Sequence, residues 1–155
     1  MIIIYDGNAD FKAEGVKNIG NLNYISGCAD FCSSKIKSLG GLRHIDGSVT
    51  FYKSKIKSLG CLGYIGGYVN FFGSSVEDLG NLYHIGHRAS FYRSKIKSLG
   101  SLSYIGGNAY FKHSAIKSLG NLSYIGKDVY ISESSDLDFR TVLIKGRVYK
   151  HDYNL

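Results

Sequence analysis

The stretch from residue 45 to residue 65, IDGSVTFYKSKIKSLGCLGYI, is one unit of a pattern that returns every 20 residues. Its middle part, SKIKSLG, fills positions 34–40, 54–60 and 94–100 without a change. The same interval separates phenylalanines at 11, 31, 51, 71, 91 and 111, glycines at 20, 40, 60, 80, 100 and 120, and isoleucines at 25, 45, 65, 85, 105 and 125. A fixed period of this length indicates a solenoid, in which each unit buries its apolar face against its neighbours.

The apolar residues of one unit predict how the chain is wound. Val49 and Phe51 are separated by one residue, which is the spacing of two inward side chains on a β-strand. Because this pair returns in every unit, we predict seven short parallel strands stacked into one sheet. Ile56, Leu59 and Leu62 follow at intervals of three, which favours corners and 3₁₀-like pieces over a helix interrupted by glycine. The fold class is therefore an all-β repeat, a parallel β-solenoid of about seven 20-residue coils.

A serine follows each core position of the strand by three residues from Phe31 onward. It stands at 34, 54, 74, 94, 114 and 134. A turn at the end of a buried strand leaves backbone groups that need hydrogen-bond partners, and stacked hydroxyl groups can supply them. We interpret the serines as a structural ladder.

This order of residues, V-x-F-x-x-S-x-I-x-x-L-x-x-L-x-x-I, resembles a short bacterial-type leucine-rich repeat, L-x-L-x-x-N-x-L-x-x-L, with serine in the asparagine position. The I-x-G-x-V-x-F segment also resembles the receptor L-domain, a right-handed β-helix. The resemblance covers roughly residues 8 to 134. It implies a right-handed solenoid that recognises proteins through its strand face, usually without catalysis. The units are short for that family, so we expect a compact coil without a regular helix opposite the sheet.

The pattern divides the chain into a solenoid of residues 1–134 and a C-terminal cap and tail of residues 135–155. A solenoid needs caps, because an open end exposes core residues and unpaired strand edges. Two short apolar runs, 142–144 and 147–149, lie on either side of Lys145 and Gly146. We predict that they form a hairpin that closes the C-terminal end.

Composition bounds the function. A net charge of +7 over 155 residues favours acidic partners, such as nucleic acid or an acidic protein face. The sequence suggests neither a signal peptide nor a membrane span. Three cysteines, at 28, 32 and 61, form no CxxC motif and favour a reducing, cytoplasmic location. No spacing suggests a metal site, a cofactor motif or a catalytic group, so we expect no metal, no cofactor and no enzymatic activity.

Lysines form the first outward ladder, which we call the lysine stripe. Its members are Lys35, Lys37, Lys55, Lys57, Lys95, Lys97 and Lys117. Stacked like charges repel by about 1 kcal/mol per pair in water, and a polyanion would relieve this repulsion. Duplication of a repeat would also copy its lysines without any function. The fourth unit replaces them with Ser75 and Glu77 and adds Asp78, which favours a protein partner over a continuous nucleic-acid track.

Aromatic residues form the second outward ladder. Tyr52, Phe72 and Tyr92 each follow a core phenylalanine, and we expect them to be adjacent exposed rings. With the neighbouring outward residues they define a candidate protein-binding site of Tyr52, Lys53, Tyr68, Phe72, Arg88, Tyr92 and Arg93. Aromatic rings edged by arginine and lysine are typical of interface hot spots. Such rings can also stack on bases or simply stabilise the sheet.

A third ladder alternates tyrosine and histidine at 24, 44, 64, 84, 104 and 124. Its two histidines are two coils apart, about 10 Å, which is too far to share a metal ion. We predict that these rings stack along one face.

The residues together predict a non-catalytic solenoid that binds another protein or a ribonucleoprotein with an acidic surface, as an adaptor or inhibitor of a larger complex. A phage-type inhibitor of a host nucleic-acid-targeting system would be one instance. One alternative is direct binding of RNA or DNA along the lysine stripe. The other is self-association through a solenoid end or the strand face. No membrane partner is expected.

Overall fold

The computed structural model describes residues 2–12 and 16–152. Strands are the only regular elements in these two segments, and they are two to four residues long. They form two parallel sheets of eight strands each, wound as a β-solenoid of about seven turns. The predicted fold class is thus confirmed. None of the described residues forms a helix long and apolar enough to cross a membrane.

Each turn contributes one strand to each sheet, and the eighth pair of strands begins a turn that the described residues do not complete. The first sheet contains β1 (Ile3–Tyr5), β3 (Leu22–Ile25), β5 (His44–Ile45), β7 (Tyr64–Ile65), β9 (His84–Ile85), β11 (Tyr104–Ile105), β13 (Tyr124–Ile125) and β15 (Leu143–Ile144). The second sheet contains β2 (Ala9–Asp10), β4 (Ala29–Asp30), β6 (Val49–Thr50), β8 (Val69–Asn70), β10 (Ala89–Ser90), β12 (Ala109–Tyr110), β14 (Val129–Ile131) and β16 (Val148–Lys150). The stretch that links the second sheet back to the first, residues 53–63 in one turn, is the third side.

The core runs along the axis between these three sides. Val49 and Phe51 point inward from the second sheet, Ile45 from the first, and Ile56 and Leu59 from the third side; all are at most 1% exposed. The phenylalanines stack with ring centroids 4.7–5.4 Å apart along the whole series from 11 to 111. Equivalent apolar residues of successive turns therefore lie directly on one another, which is why the sequence keeps its period.

Two expectations were wrong. The structure has two sheets where we predicted one, because residues such as Tyr64 and Ile65 form strands of their own instead of continuing the third side. The hairpin cap is also absent from the described residues: β15 and β16 pair in parallel with β13 and β14, not with each other. Lys145 and Gly146 form the corner between the two sheets, and the strand pairing continues to Lys150.

The first four serines of the ladder are buried, Ser114 is half-buried and Ser134 is exposed, and their hydrogen bonds differ from those expected. Ser34, Ser54, Ser74 and Ser94 are at most 5% exposed. The Ser34 hydroxyl accepts a hydrogen bond from the Ile36 N–H at 3.1 Å. Within the described residues, the hydroxyls of the other three find no partner. The Ser114 hydroxyl does bond the backbone, since it donates to the Phe111 carbonyl at 2.7 Å. The three serines without a partner therefore serve the fold mainly as small side chains that fit a tight corner.

Candidate binding surface

The outer face of the second sheet carries three columns of side chains. In the central turns these are Ser48, Tyr68 and Arg88 before the strand, Thr50, Asn70 and Ser90 on the strand, and Tyr52, Phe72 and Tyr92 after it. Apart from Ser48, the outer columns carry large side chains, and the middle column carries small polar ones. A sheet with this order of sizes has a shallow trough along its centre.

The aromatic row, Tyr52, Phe72 and Tyr92, forms one wall of this trough. The rings are adjacent, as predicted, with neighbouring centroids 5.3 Å apart and nearly parallel planes. They are half-buried and not exposed as expected, because each ring covers the next. The backbone behind the rings is fixed locally, because the Phe72 N–H donates to the Asn70 amide oxygen at 2.9 Å. One side chain of the middle column thus orients the wall beside it.

Cations lie against the rings of this face. The Lys53 ammonium group is 5.0 Å from the centroid of the Tyr52 ring, and the Arg93 guanidinium is 5.3 Å from that of Tyr92. Arg88 lies 5.5 Å from the Tyr68 ring on the opposite wall. These separations are those of cation–π contacts. The face therefore combines flat apolar area with positive charge held beside it.

The trough deepens into a groove of about 480 Å³ toward the C-terminal turns. Phe72 and Tyr92 form one wall and Arg88 lies opposite; Tyr110 and Tyr130, stacked at 4.7 Å, close one end. Lys112 also lines the groove, and its ammonium group lies 3.0 Å from the Nδ1 atom of His151. Burial raises the pKa of Tyr130, so this phenol is neutral at physiological pH.

The structure thus brings together all seven predicted site residues on one face and adds five that the sequence did not single out as a site. The additional residues are Asn70, Ser90, Tyr110, Lys112 and Tyr130. The sequence could have indicated four of these residues, because the middle column changes from Thr50, Asn70 and Ser90 to Tyr110 and Tyr130 along the chain. That change from small to large side chains marks where the groove ends.

The lysine stripe lies elsewhere, on the third side beyond the corner at Lys53. Its lysines are exposed, and none of the described carboxylates lies within 4.0 Å of them. Backbone bonds stack the turns in register: the Glu77 N–H donates to the Lys57 carbonyl and the Lys117 N–H to the Lys97 carbonyl, both at 2.8 Å. Glu77 therefore interrupts the stripe between Lys57 and Lys97, as its position in the repeat indicates.

The tyrosine–histidine ladder covers the outer face of the first sheet. Its six rings stack at 4.3–5.0 Å, which confirms the prediction. Near its N-terminal end, the Tyr24 hydroxyl and the His44 ring both bond the Asp46 carboxylate. The Tyr24 hydrogen bond, aided by His44, holds the pKa of Asp46 below its usual value. His84 lies between Tyr64 and Tyr104, and burial lowers its pKa.

Comparison with family models, with curated proteins and with solved structures gives no match to this chain. The β-solenoid of 20-residue coils therefore stands on the periodicity and the structure alone. Cys28, Cys32 and Cys61 are free thiols. Within residues 2–12 and 16–152, no three histidine, cysteine or acidic side chains gather into a group that could hold a metal ion.

The lowered pKa of His84 makes stability depend on pH. An unfolded chain has a histidine of ordinary pKa, 6.5, and therefore binds more protons than the folded chain just below that pH. The contribution of neutral His84 to the free energy of unfolding is complete above pH 6.5 and is lost as the pH falls through the lower pKa of the folded chain.

We expect His84→Tyr, which restores the ring type of positions 64 and 104, to flatten this part of the plot of stability against pH. Urea unfolding from about pH 8 to about pH 5 measures it. His87→Gln, at an exposed site outside the ladder, is the control, and equal flattening in both variants would contradict the assignment.

Proposed function

We propose that this chain is a non-catalytic protein-binding module that engages an acidic partner through the outer face of its second sheet. The observation that carries the proposal is the aromatic row with cations held against its rings, beside a groove of about 480 Å³. Rigid rings contribute apolar contact area at a small entropy cost, and arginine beside them can pair with carboxylates. The resemblance to leucine-rich repeats also supports the proposal, because that resemblance implies protein recognition.

The groove supports a particular kind of occupant. Phe72, Tyr92 and Tyr110 offer apolar surface, while Arg88 and Lys112 bring positive charge to the same space. An extended acidic segment that also carries an apolar or aromatic side chain matches both properties. Such a partner fits an adaptor or inhibitor of a larger protein or ribonucleoprotein complex, acting in the cytoplasm.

Two exposed tyrosines allow a matched capture experiment. Tyr68 is 46% exposed on the proposed face, and Tyr83 is 51% exposed outside it. A photoreactive phenylalanine analogue at either position preserves an aromatic ring. Crosslinking in extract of the native cell, with and without nuclease, is expected to yield a protein adduct at position 68 that survives nuclease, and little at position 83. Equal capture at both positions would remove the face from the proposal.

Phe72→Ala tests the face quantitatively once that partner is purified. Phe72 is the middle ring of the row, so its loss removes contact area and both stacking neighbours at once. We expect binding to weaken by at least about 2 kcal/mol, or roughly thirtyfold in Kd. Calorimetric titration measures the change, Tyr83→Ala serves as the control, and circular dichroism verifies that both variants fold. Full-strength binding by Phe72→Ala would exclude the aromatic row as the anchor.

Binding of RNA or DNA along the lysine stripe is the second proposal, and its support is a run of exposed lysines that no described carboxylate neutralises. This proposal predicts a different result for the same capture experiment. No protein adduct at position 68 would survive nuclease, and Lys37→Glu together with Lys57→Glu would abolish binding that also falls steeply with salt. Phe72→Ala would then have little effect.

A further inference from the structure

Exposed apolar side chains are concentrated at the two ends of the solenoid. Eight large hydrophobic residues are exposed among those described: Ile2, Ile3, Ile4, Tyr5, Tyr68, Tyr83, Leu143 and Val148. Six of these belong to the first turn or the last. The ends also carry the open edges of both sheets, where β1 and β2 lie at one end and β15 and β16 at the other. An open edge of this kind is a template for pairing with another strand.

The edge-strand segments at the two ends carry opposite charges. Residues 3–10, which hold β1 and β2, contain Asp6 and Asp10 and no basic residue. Residues 143–150, which hold β15 and β16, contain Lys145, Arg147 and Lys150 and no acidic residue. Charged residues on an edge strand usually prevent edge-to-edge association. Here they would repel like ends and attract unlike ends.

We propose that copies of this chain associate head to tail, with the last turn of one copy pairing in parallel with the first turn of the next. This interaction is separate from the proposed protein-binding face and uses other residues. The occupant of each end is thus a second copy of the chain. Because the two joined surfaces differ, the association does not close on itself as a dimer, and further copies can add.

The register inside the molecule defines the joint. Ile4 pairs with Tyr24 and Tyr5 with Ile25 at one end, while Leu143 pairs with Tyr124 and Ile144 with Ile125 at the other. Continued by one turn, this register places Leu143 on Ile4 of the next copy and Ile144 on its Tyr5. The second sheet likewise places Val148 on Ala9, since these residues continue the column of Val129 and Ala29. Apolar residues therefore meet apolar residues at these three positions. Lys150 would lie over Phe11 of the next copy, and its ammonium group is turned aside to donate to the Ser135 carbonyl at 3.0 Å.

The charged residues meet in the same register. Lys145 follows Ile144 directly and Asp6 follows Tyr5, so the joint places the ammonium group of one copy beside the carboxylate of the next. A side chain at this position does reach the neighbouring turn, because the Ser26 hydroxyl donates to the Asp6 carboxylate at 2.7 Å. Asp10 is already paired with Lys12 at 3.4 Å. Asp6 and Lys145 are therefore the decisive pair.

The backbone also has the polarity that this joint requires. In the second sheet, the N–H of a lower turn donates to the carbonyl of the turn above it, as from Ala9 to Cys28 and from Phe11 to Asp30. The same pattern directs the N–H groups of Val148 and Lys150 toward the carbonyls of Asn8 and Asp10 in the next copy. Two identical ends brought together would not complete this pattern.

Charge exchange between the two ends tests the proposal. Sedimentation velocity on the full chain, free of tags and at low ionic strength, is expected to show assemblies that grow with protein concentration and dissociate on dilution. Asp6→Lys or Lys145→Asp alone places like charges in the joint, and each should raise the Kd of assembly at least about tenfold. Lys97→Asp makes the same charge change away from the ends and should leave assembly unaltered.

Mixing the two single variants gives the sharpest result. Every joint between unlike variants in the mixture pairs opposite charges: either the native Lys145 meets the native Asp6, or the two introduced side chains meet each other. Assembly should therefore return in the mixture, although each single variant assembles only weakly. The double variant should assemble by itself. Far-UV circular dichroism establishes that all variants fold. A wild-type chain that stays monomeric at every concentration would overturn the proposal, as would assembly unaffected by the single changes or not restored in the mixture.

Discussion

Phe71→Ala is expected to lower the free energy of unfolding by about 3–5 kcal/mol. The Phe71 ring is fully buried and stacks on Phe51 at 5.3 Å and on Phe91 at 5.4 Å. Its removal leaves a cavity and takes a partner from both neighbours. A solenoid cannot compensate elsewhere, because each turn contacts only the turns beside it. Chemical unfolding followed by circular dichroism measures the loss.

Phe11→Ala provides the matched control for this effect. Phe11 occupies the same column, but it is only half-buried and Phe31, at 4.7 Å, is its one stacked neighbour in the column. We expect its replacement to cost roughly half as much as that of Phe71. Equal losses at the two positions would show that stacking on two sides adds nothing to burial on one.

The phenylalanine column shows why the fold class was predictable from sequence. An inward position of a stacked coil has the same neighbours above and below it in every turn, so one large ring satisfies all turns. Phenylalanine therefore returns at a fixed interval in the sequence, and this period is visible without any knowledge of the strands. Val49 and Phe51 were placed on a strand for the same reason, since both members of the pair point inward.

The first sheet was missed because its strands carry too little pattern. Tyr64 and Ile65 form a two-residue strand with one inward side chain, so no alternation can be recognised. Ile65 also follows Leu62 by three residues, which continues the spacing of the third side. The residue that distinguishes the strand is Tyr64, whose ring stacks on His44 and His84. Ring stacking between turns was predicted, but its consequence for backbone pairing was not.

The eighth pair of strands was predicted to be a hairpin because the interval and the core residue that identify the repeat both change there. Ile144 pairs with Ile125 at an interval of 19 residues, where the earlier turns keep 20. Lys150 takes the place of the core phenylalanine, since nothing in the described chain packs on the far side of this turn. A lysine at a position that is buried elsewhere ends the apolar column within one copy, and it removes the signal that would have extended the pattern.

The aromatic row was predictable, and the groove beside it was not. Tyr52, Phe72 and Tyr92 occupy one position of the repeat, so their neighbourhood follows from the period. The groove depends on a difference between turns, namely small Asn70 and Ser90 followed by large Tyr110 and Tyr130 in a single column. A repeat predicts what recurs, and a binding site on it is formed where one column changes.

Gly120→Ala is expected to lower the free energy of unfolding by about 3 kcal/mol, the sum of a left-handed alanine and an overpacked contact. Gly120 has φ +54°, and an added Cβ would lie 2.6 Å from the Gly100 nitrogen and closer still to its carbonyl oxygen. Both are backbone atoms of the neighbouring turn and cannot rotate away. Relief requires the two turns to separate, which also strains the 5.2 Å stack of Phe91 on Phe111 between the same turns.

Gly100→Ala separates the two contributions, because Gly100 has φ +52° and no atom within 4 Å of an added Cβ. We expect this variant to lose only about 1 kcal/mol, the cost of a left-handed alanine. The fold accepts that conformation at Lys53, φ +53°, and Arg93, φ +51°, so positive φ alone is not prohibitive. The difference between the two variants in chemical unfolding isolates the close approach of the backbones. If both variants lost the same amount, the neighbouring turn would have to yield without cost, and the contact between turns would not be what requires glycine at 120.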